Sequence, residues 1–119
     1  MKIQRVTDEF IEFDNGNKIE YKHEQDCCED NYADFENLTE RNVNYYFDFD
    51  EDLTFEFIDG MGFRFGSKPK GLYGLCNDYM RWIFIPCYSF QNGWYSTGID
   101  IYYKGEIVLR NGECEEHLD

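Results

Sequence analysis

Apolar and polar side chains alternate along the N-terminal part of the chain, in three short segments. Residues 2–7 and 10–13 alternate, residues 14–17 (sequence DNGN) form a strong turn signal, and residues 18–23 alternate again. Successive side chains of a strand point to opposite faces, so a period of two is typical of strands with one apolar face. The pattern therefore predicts an antiparallel β-meander whose polar face lies in water.

The period changes between residues 24 and 40. Cys28, Tyr32, Phe35 and Leu38 recur at i, i+4, i+7 and i+10, which is the spacing of one helical face. Acidic residues cluster toward the start of this segment, the end of a helix that favours negative charge. The sequence therefore predicts one α-helix that packs on the sheet.

Strand patterns return in the middle of the chain. Residues 44–49 and 53–58 alternate, a short strand is expected at 63–65, and a last one at 106–110. Residues 66–74 contain three glycines and a proline, which predicts a loop.

Two aromatic-rich segments, residues 81–88 and 94–103, lie on either side of an Asn-Gly pair that begins at Asn92. Because Asn-Gly adopts positive φ at low steric cost, the pattern predicts an aromatic hairpin. Alternation puts Trp82 and Phe84 on one face of its first strand and isoleucines on the other. The sequence does not decide which face packs in the core; the other face is left for a pocket or a subunit interface.

The chain length fits one domain with one hydrophobic core, because 119 residues are too few for two. We therefore expect a single α+β domain over residues 1–119, an antiparallel sheet with one helix packed on it, and an acidic tail at 113–119 that frays. Aromatic residues make up 19% of the chain, and rings that the core cannot hold would line a pocket or an interface.

The chain is strongly acidic. Twenty-five acidic residues against eleven basic ones give a formal net charge of −14. This charge disfavours duplex nucleic acid as a partner, because such binding depends on Lys and Arg at phosphates, and it disfavours an anionic membrane surface for the same reason. The charge serves solubility, or it imitates nucleic acid and covers a basic groove on another protein.

Signals of cellular location point to the cytosol. No apolar run approaches the roughly 18 residues of a membrane span, and we expect no secretion signal. Five cysteines, two of them adjacent at Cys27 and Cys28, indicate no disulfide framework, so we expect reduced thiols.

Metal binding and catalysis find little support in the residue pattern. His23, Asp26, Cys27 and Cys28 lie close together, but a zinc site would need a second ligand pair, and none has the spacing. His23 and His117 are the only histidines, and no nucleophile-elbow or phosphate-loop motif occurs. We therefore expect neither a metal, nor a cofactor, nor enzymatic activity; a small hydrolase remains the enzymatic alternative.

Arginine is scarce, and three of its five positions lie in or beside aromatic strands. A guanidinium can bind a phosphate with two parallel hydrogen bonds and can stack on a base. Ion pairing with the abundant Asp and Glu is the alternative role. The five are Arg5, Arg41, Arg64, Arg81 and Arg110.

Two segments resemble a family of small phage proteins. Residues 23–35 (HEQDCCEDNYADF) and residues 85–88 with 91–96 (IPCY and QNGWYS) are similar to the first Thoeris anti-defence family. The resemblance implies a molecular sponge, which binds cyclic ADP-ribose isomers made by bacterial TIR-domain defence proteins and does not cleave them. It also implies a homodimer or larger homo-oligomer with the pocket at a subunit interface, and a separate site for cyclic oligonucleotides.

The resemblance also implies roles for particular residues. Phe84 or Trp82 would stack on the adenine, and Asn92 would hydrogen-bond the ligand. Arg110 and Arg81 would bind its phosphates. The expected function is sequestration of the signal in the host bacterial cytoplasm; the alternative is an acidic, DNA-mimicking inhibitor of a host defence nuclease.

Overall fold

The computed structural model describes residues 2–22, 25, 30–42, 44–56, 61–76, 81–90 and 97–116. These residues form β-strands and one short 3₁₀ turn, Phe35–Asn37. In chain order the strands are β1 (Ile3–Val6), β2 (Phe10–Phe13), β3 (Lys18–Tyr21), β4 (Asn31–Ala33), β5 (Thr39–Asn42), β6 (Phe49–Glu56), β7 (Met61–Ser67), β8 (Lys70–Cys76), β9 (Arg81–Ser89), β10 (Gly98–Tyr103), β11 (Glu106–Glu113) and β12 (Glu115–Glu116).

The first sheet has five antiparallel strands in the order β1-β2-β3-β10-β11. Its first three strands confirm the predicted meander. The turn between β2 and β3 is closed by the Phe13 N–H, which donates to the Asn17 carbonyl at 2.8 Å. Gly16 adopts φ +84° in this turn, a conformation that glycine tolerates best.

The second sheet has seven strands, and β9 lies at its centre. The strand order is β12-β9-β8-β7-β6, and β4 and β5 also pair with β9. Strands β4 and β12 both pair with Tyr88 and Ser89, so they lie on opposite edges of β9. Strand β9 is therefore paired along both edges.

The two sheets pack face to face and share the main core. The Phe13 ring of the first sheet lies 6.3 Å from the Phe63 ring of the second, centroid to centroid. The fully buried side chains between the sheets include Ile11, Phe13, Ile19 and Ile101 from the first sheet and Phe63, Phe65, Leu72, Ile85 and Cys87 from the second.

The expected helix is absent from the described residues, so the α+β prediction is wrong and the fold is a β-sandwich. Residues 31–33 and 39–42 are strands that pair with β9, and Cys28 lies outside the described residues. Phe35 and Leu38, which the helical spacing brought together, do pack in the core, but from a 3₁₀ turn. Pairing with the free edge of β9 satisfies backbone groups that a helix would have left unpaired there.

The predicted hairpin is also wrong. Strand β9 belongs to the second sheet and β10 to the first, and no ladder joins them within the described residues. Strand β9 ends in the second sheet at Ser89, and β10 begins in the first sheet at Gly98. An Asn-Gly turn is a local signal, and it does not specify the sheet that the following strand joins.

Three further segments differ from expectation. The loop predicted at 66–74 is the β7–β8 hairpin, in which Ser67 pairs with Lys70. Strands were predicted at 44–49 and at 53–58, but residues 44–48 are not a strand, and a single strand, β6, covers Phe49–Glu56. In the acidic tail expected to fray at 113–119, Glu113 instead ends β11 and Glu115–Glu116 form β12, while residues 117–119 lie outside the described residues.

Glycines in the strands make room for aromatic rings. A Cβ atom on Gly112 would lie 2.0 Å from Cζ of Phe65, and one on Gly74 would lie 2.7 Å from Cε1 of Phe63. Gly112 belongs to the first sheet and Phe65 to the second, so this ring contacts the backbone of the opposite sheet. The glycines that predicted a loop are therefore packing residues.

We expect Gly112→Ala to lower the free energy of unfolding by about 1–3 kcal/mol or more, because the ring of Phe65 has to move from a close-packed core. Urea unfolding of both proteins measures this difference.

Gly62→Ala is the control, since its Cβ would meet nothing closer than 3.5 Å. We expect a change of less than about 1 kcal/mol there. Equal losses for the two variants would contradict the steric explanation.

Candidate ligand-binding surface

Both faces of β9 are buried, which answers the question that the sequence left open. Ile83 and Ile85 point into the main core. Trp82 and Phe84 point to the opposite face of the sheet, and each is only 8% exposed. A second apolar layer therefore covers the outer face of the second sheet.

This layer is an aromatic cluster, covered by the chain segment that precedes β6. Phe47 lies 4.7 Å from Tyr73 and 6.2 Å from Trp82, and Phe49 lies 4.8 Å from Trp82, all between ring centroids. Most of these ring pairs are tilted or edge-to-face, geometries that aromatic quadrupoles favour. We call Phe47, Phe49, Tyr73, Trp82 and Phe84 the outer aromatic cluster.

Tyr73 lies at the centre of the outer aromatic cluster. Its ring is 4.8 Å from that of Phe84, and its hydroxyl donates a hydrogen bond to the Pro69 carbonyl at 2.6 Å. Burial raises the pKa of Tyr73 above the usual tyrosine value of 10.0. A buried phenolate would lose its hydration, so the hydroxyl keeps its proton in the folded protein.

Two guanidinium groups flank the cluster. The guanidinium carbon of Arg64 lies 4.9 Å from the ring centroid of Phe49 and 5.2 Å from that of Trp82. On the other side, Arg41 pairs with Trp82 across the β5–β9 ladder and lies 5.1 Å from the Tyr45 ring. These distances are those of cation–π contacts, in which a ring face attracts a cation without neutralising it.

Exposed rings continue this surface at its margin. Tyr45 is 55% exposed and Tyr46 is 78% exposed, and both precede the buried Phe47. At the far end of β9, Phe90 is 48% exposed and stacks on Tyr32 at 5.6 Å. We call Tyr45 and Tyr46 the rim tyrosines.

The structure brings three of the five predicted site residues together on one strand. Arg81, Trp82 and Phe84 all belong to β9, but Arg81 is exposed and forms an ion pair with Glu40 at 3.5 Å. Arg110 is exposed on β11, in the first sheet. Asn92 lies outside the described residues.

Arg110 and the outer aromatic cluster lie on different sides of one subunit. Its neighbour Leu109 packs in the main core, so the exposed Arg110 side chain leaves the sandwich from the first sheet. The cluster lies on the outer face of the second sheet. A ligand on the cluster therefore cannot contact Arg110 of the same subunit.

The sequence named Arg41 and Arg64 only as two of five candidate arginines, and it did not mark Phe47, Phe49 or Tyr73 as parts of this surface. Alternation at residues 63–65 carried a usable signal for Arg64, since Phe63 and Phe65 occupy the opposite face. No local signal distinguished Arg41 from the other arginines, because it lies in no predicted strand. Tyr73 was hidden by the prediction of a loop.

A cleft also lies where the edges of the two sheets meet. It has a volume of about 480 Å³, and its polar lining includes Asp50, Ser67, Thr97, Asn111 and Glu113. Lys70 already forms an ion pair with Glu113 at 3.2 Å. Two carboxylates and no arginine make this cleft unsuitable for a phosphate, so the outer aromatic cluster is the better candidate for an anionic ligand.

No group of three or more His, Cys, Asp or Glu side chains within the described ranges has the geometry of a metal site. The cluster from His23 to Cys28, which the sequence singled out, lies outside those ranges. In the same part of the chain, no helix has the length and apolar character needed to span a membrane.

Comparison of the chain with protein-family models, with curated proteins and with solved structures gave no match.

We expect stability to fall at alkaline pH, partly through Tyr73. An unfolded tyrosine releases its proton near pH 10, whereas folded Tyr73 keeps it, so above pH 10 the unfolded state binds fewer protons. The free energy of unfolding then falls by up to about 1.4 kcal/mol per pH unit. Burial and the nearby Asp8 raise the pKa of Tyr21 to about 12, which adds to the same loss.

Tyr73→Phe should therefore lose less stability between pH 9 and pH 11 than the natural protein, measured by urea unfolding at each pH. At neutral pH the variant should be less stable by about 1 kcal/mol, since it lacks the hydrogen bond to Pro69. Tyr46→Phe changes an exposed hydroxyl and is the control. An alkaline loss that is identical in Tyr73→Phe and in the natural protein would contradict the assignment.

Proposed function

We propose that this protein binds a cyclic ADP-ribose-type nucleotide, a signal of bacterial Thoeris defence, and sequesters it without cleavage. It acts as a phage anti-defence protein in the host bacterial cytoplasm, and it keeps the signal from the effector. The observation that carries the proposal is the pair of arginines, Arg41 and Arg64, that flank the outer aromatic cluster and have no acidic partner among the described residues.

The pairing of the arginines supports an anionic ligand. Arg5 lies 3.6 Å from Glu12, and Arg81 lies 3.5 Å from Glu40. Arg41, Arg64 and Arg110 have no carboxylate within 4.0 Å among the described residues. In a chain with twenty-five acidic residues, surface ion pairing alone would be expected to occupy them. Guanidinium groups held away from carboxylates stay available for a phosphate.

The rings beside these arginines suit the base of a nucleotide. Adenine is flat and stacks on aromatic side chains; both rim tyrosines are exposed, and the ring of Tyr45 lies 5.1 Å from the Arg41 guanidinium. Trp82 and Phe84 already contact the chain's own rings, so they form the floor of the surface and support the rings above them. The stacking role therefore passes from Trp82 or Phe84 to Tyr45 or Tyr46.

Arg110 can take part in the proposed site only in a homo-oligomer. It lies on the other sheet, so it reaches a ligand on the cluster only if a second subunit contributes it. The homo-oligomer implied by the family resemblance would supply that subunit. Asn92 keeps its proposed hydrogen bond to the ligand.

Calorimetric titration with cyclic ADP-ribose isomers tests the proposal. We expect tight binding, and we expect heating of the complex to release unaltered nucleotide, identified by chromatography. Altered nucleotide would make the protein a hydrolase. Failure of every isomer to bind would reject the sponge function, and a competing titration with cyclic oligonucleotides tests the separate site.

Alanine substitutions of single arginines test where on the protein the ligand binds. We expect Arg64→Ala and Arg41→Ala each to weaken binding by about tenfold or more, since a hydrogen bond to a charged group contributes about 1.5–3 kcal/mol. Arg110→Ala should weaken binding only if a second subunit completes the pocket. Arg5→Ala is the control, because Arg5 lies on the first sheet and pairs with Glu12. Unchanged affinity in both Arg64→Ala and Arg41→Ala would move the ligand away from this surface.

One observation favours the alternative function, an acidic inhibitor of a defence nuclease. Strand β6 is at the edge of the second sheet and exposes Asp50, Glu51, Asp52 and Glu56. Such a row could imitate phosphates, although charged edge strands also prevent sheet-to-sheet aggregation. An inhibitor of this kind would bind its target with an affinity that falls steeply as salt rises.

A further inference from the structure

Two buried thiols meet where the C-terminal strand joins the centre of the second sheet. Cys87 lies in β9, and Cys114 lies between β11 and β12. Both residues are 0% exposed, and both belong to the main core. They are reduced in this structure.

The strand register makes them neighbours. Strand β12 runs parallel to β9, with Glu115 opposite Tyr88 and Glu116 opposite Ser89. One position earlier on each strand are Cys114 and Cys87. Adjacent strands lie about 4.8 Å apart, and a disulfide needs Cα atoms about 4.4–6.8 Å apart.

The side chains also point the same way. Each thiol lies near the carbonyl two residues before it: Sγ of Cys87 is 3.7 Å from the oxygen of Ile85, and Sγ of Cys114 is 3.8 Å from that of Gly112. A hydrogen bond between the two thiols, together with burial, raises the pKa of Cys87. The sulfur atoms therefore face each other, and the Cys87 thiol keeps its proton in the folded protein.

We infer that Cys87 and Cys114 are a redox-responsive pair, which forms a disulfide in an oxidising environment and so fixes β12 to β9. In the reaction one thiol loses its proton, and its thiolate attacks a small disulfide oxidant such as oxidised glutathione. The resulting mixed disulfide is attacked by the second thiolate. One S–S bond forms within the protein, and the oxidant's S–S bond is reduced to two thiols.

Burial makes the reaction depend on opening of the C-terminal segment. Strand β12 has only two residues, and both glutamates are exposed. The oxidant can reach the thiols only while this short strand is detached, since neither thiol is exposed in the closed form. The disulfide would then hold the segment closed, independently of any ligand at the outer aromatic cluster.

The test begins with a variant that carries only this pair, with Cys27, Cys28 and Cys76 changed to Ser. The folded variant is treated with oxidised glutathione, remaining thiols are alkylated in denaturant, and the intact mass and peptide map are measured. We expect the oxidised variant to carry no alkyl group and to be about 2 Da lighter than the reduced variant before alkylation. We also expect a peptide that links Cys87 to Cys114. The oxidised form should also melt about 5 °C or more higher than the reduced form, because the crosslink restricts the unfolded chain.

Matched controls keep the test decisive. Cys114→Ala in the same background should give neither the linked peptide nor the rise in Tm. If the background variant does not fold, peptide mapping of the oxidised natural protein gives the same information. Folded protein that never links Cys87 to Cys114, or a linked form with an unchanged or lower Tm, would overturn the inference.

Discussion

The structure depends on the pairing of β9 along both edges and its burial on both faces. Strands β8 and β12 pair along one edge and β4 and β5 along the other. Ile83 and Ile85 join the main core, while Trp82 and Phe84 join the outer aromatic cluster. Because an unpaired backbone group in such a position is costly, the chain on either side of β9 must be extended. The sandwich, the candidate ligand surface and the thiol pair all meet on this one strand.

The number of aromatic residues and the glycines in the strands have one physical explanation. A ring that packs across a neighbouring strand needs a position without Cβ, and Gly74 and Gly112 provide it for Phe63 and Phe65. A glycine also makes room for a ring on the outer face of the second sheet, where a Cβ atom on Gly71 would lie 2.6 Å from Cε2 of Phe84. Aromatic residues that exceed the capacity of the main core thus form a second buried layer, where the composition had predicted a pocket or an interface.

The sequence predicted correctly those elements that short-range interactions determine. The meander was predictable because alternation and a tight turn define it within about twenty residues. The helix was wrong because a 3₁₀ turn also brings Phe35 and Leu38 to the core, while the residues on either side of that turn form strands by pairing with β9, far along the chain. For the surface, the sequence named Trp82 and Phe84, and it named Arg41 only as one of five arginines; it did not name Phe47, since only long-range packing brings that ring there.

The positive charge at the outer aromatic cluster is available because Arg64 lies against aromatic rings and not against a carboxylate of the described residues. A salt bridge would fix Arg64 equally well, but it would cancel the charge that a phosphate needs. Contacts with Phe49 and Trp82 orient the guanidinium through the quadrupoles of two rings and leave its full charge. In a chain of net charge −14, the surrounding field repels anions at distances up to the Debye length of about 8 Å. An anion therefore gains from this surface only in direct contact with the arginines, which favours a small, closely fitted ligand over an extended polyanion.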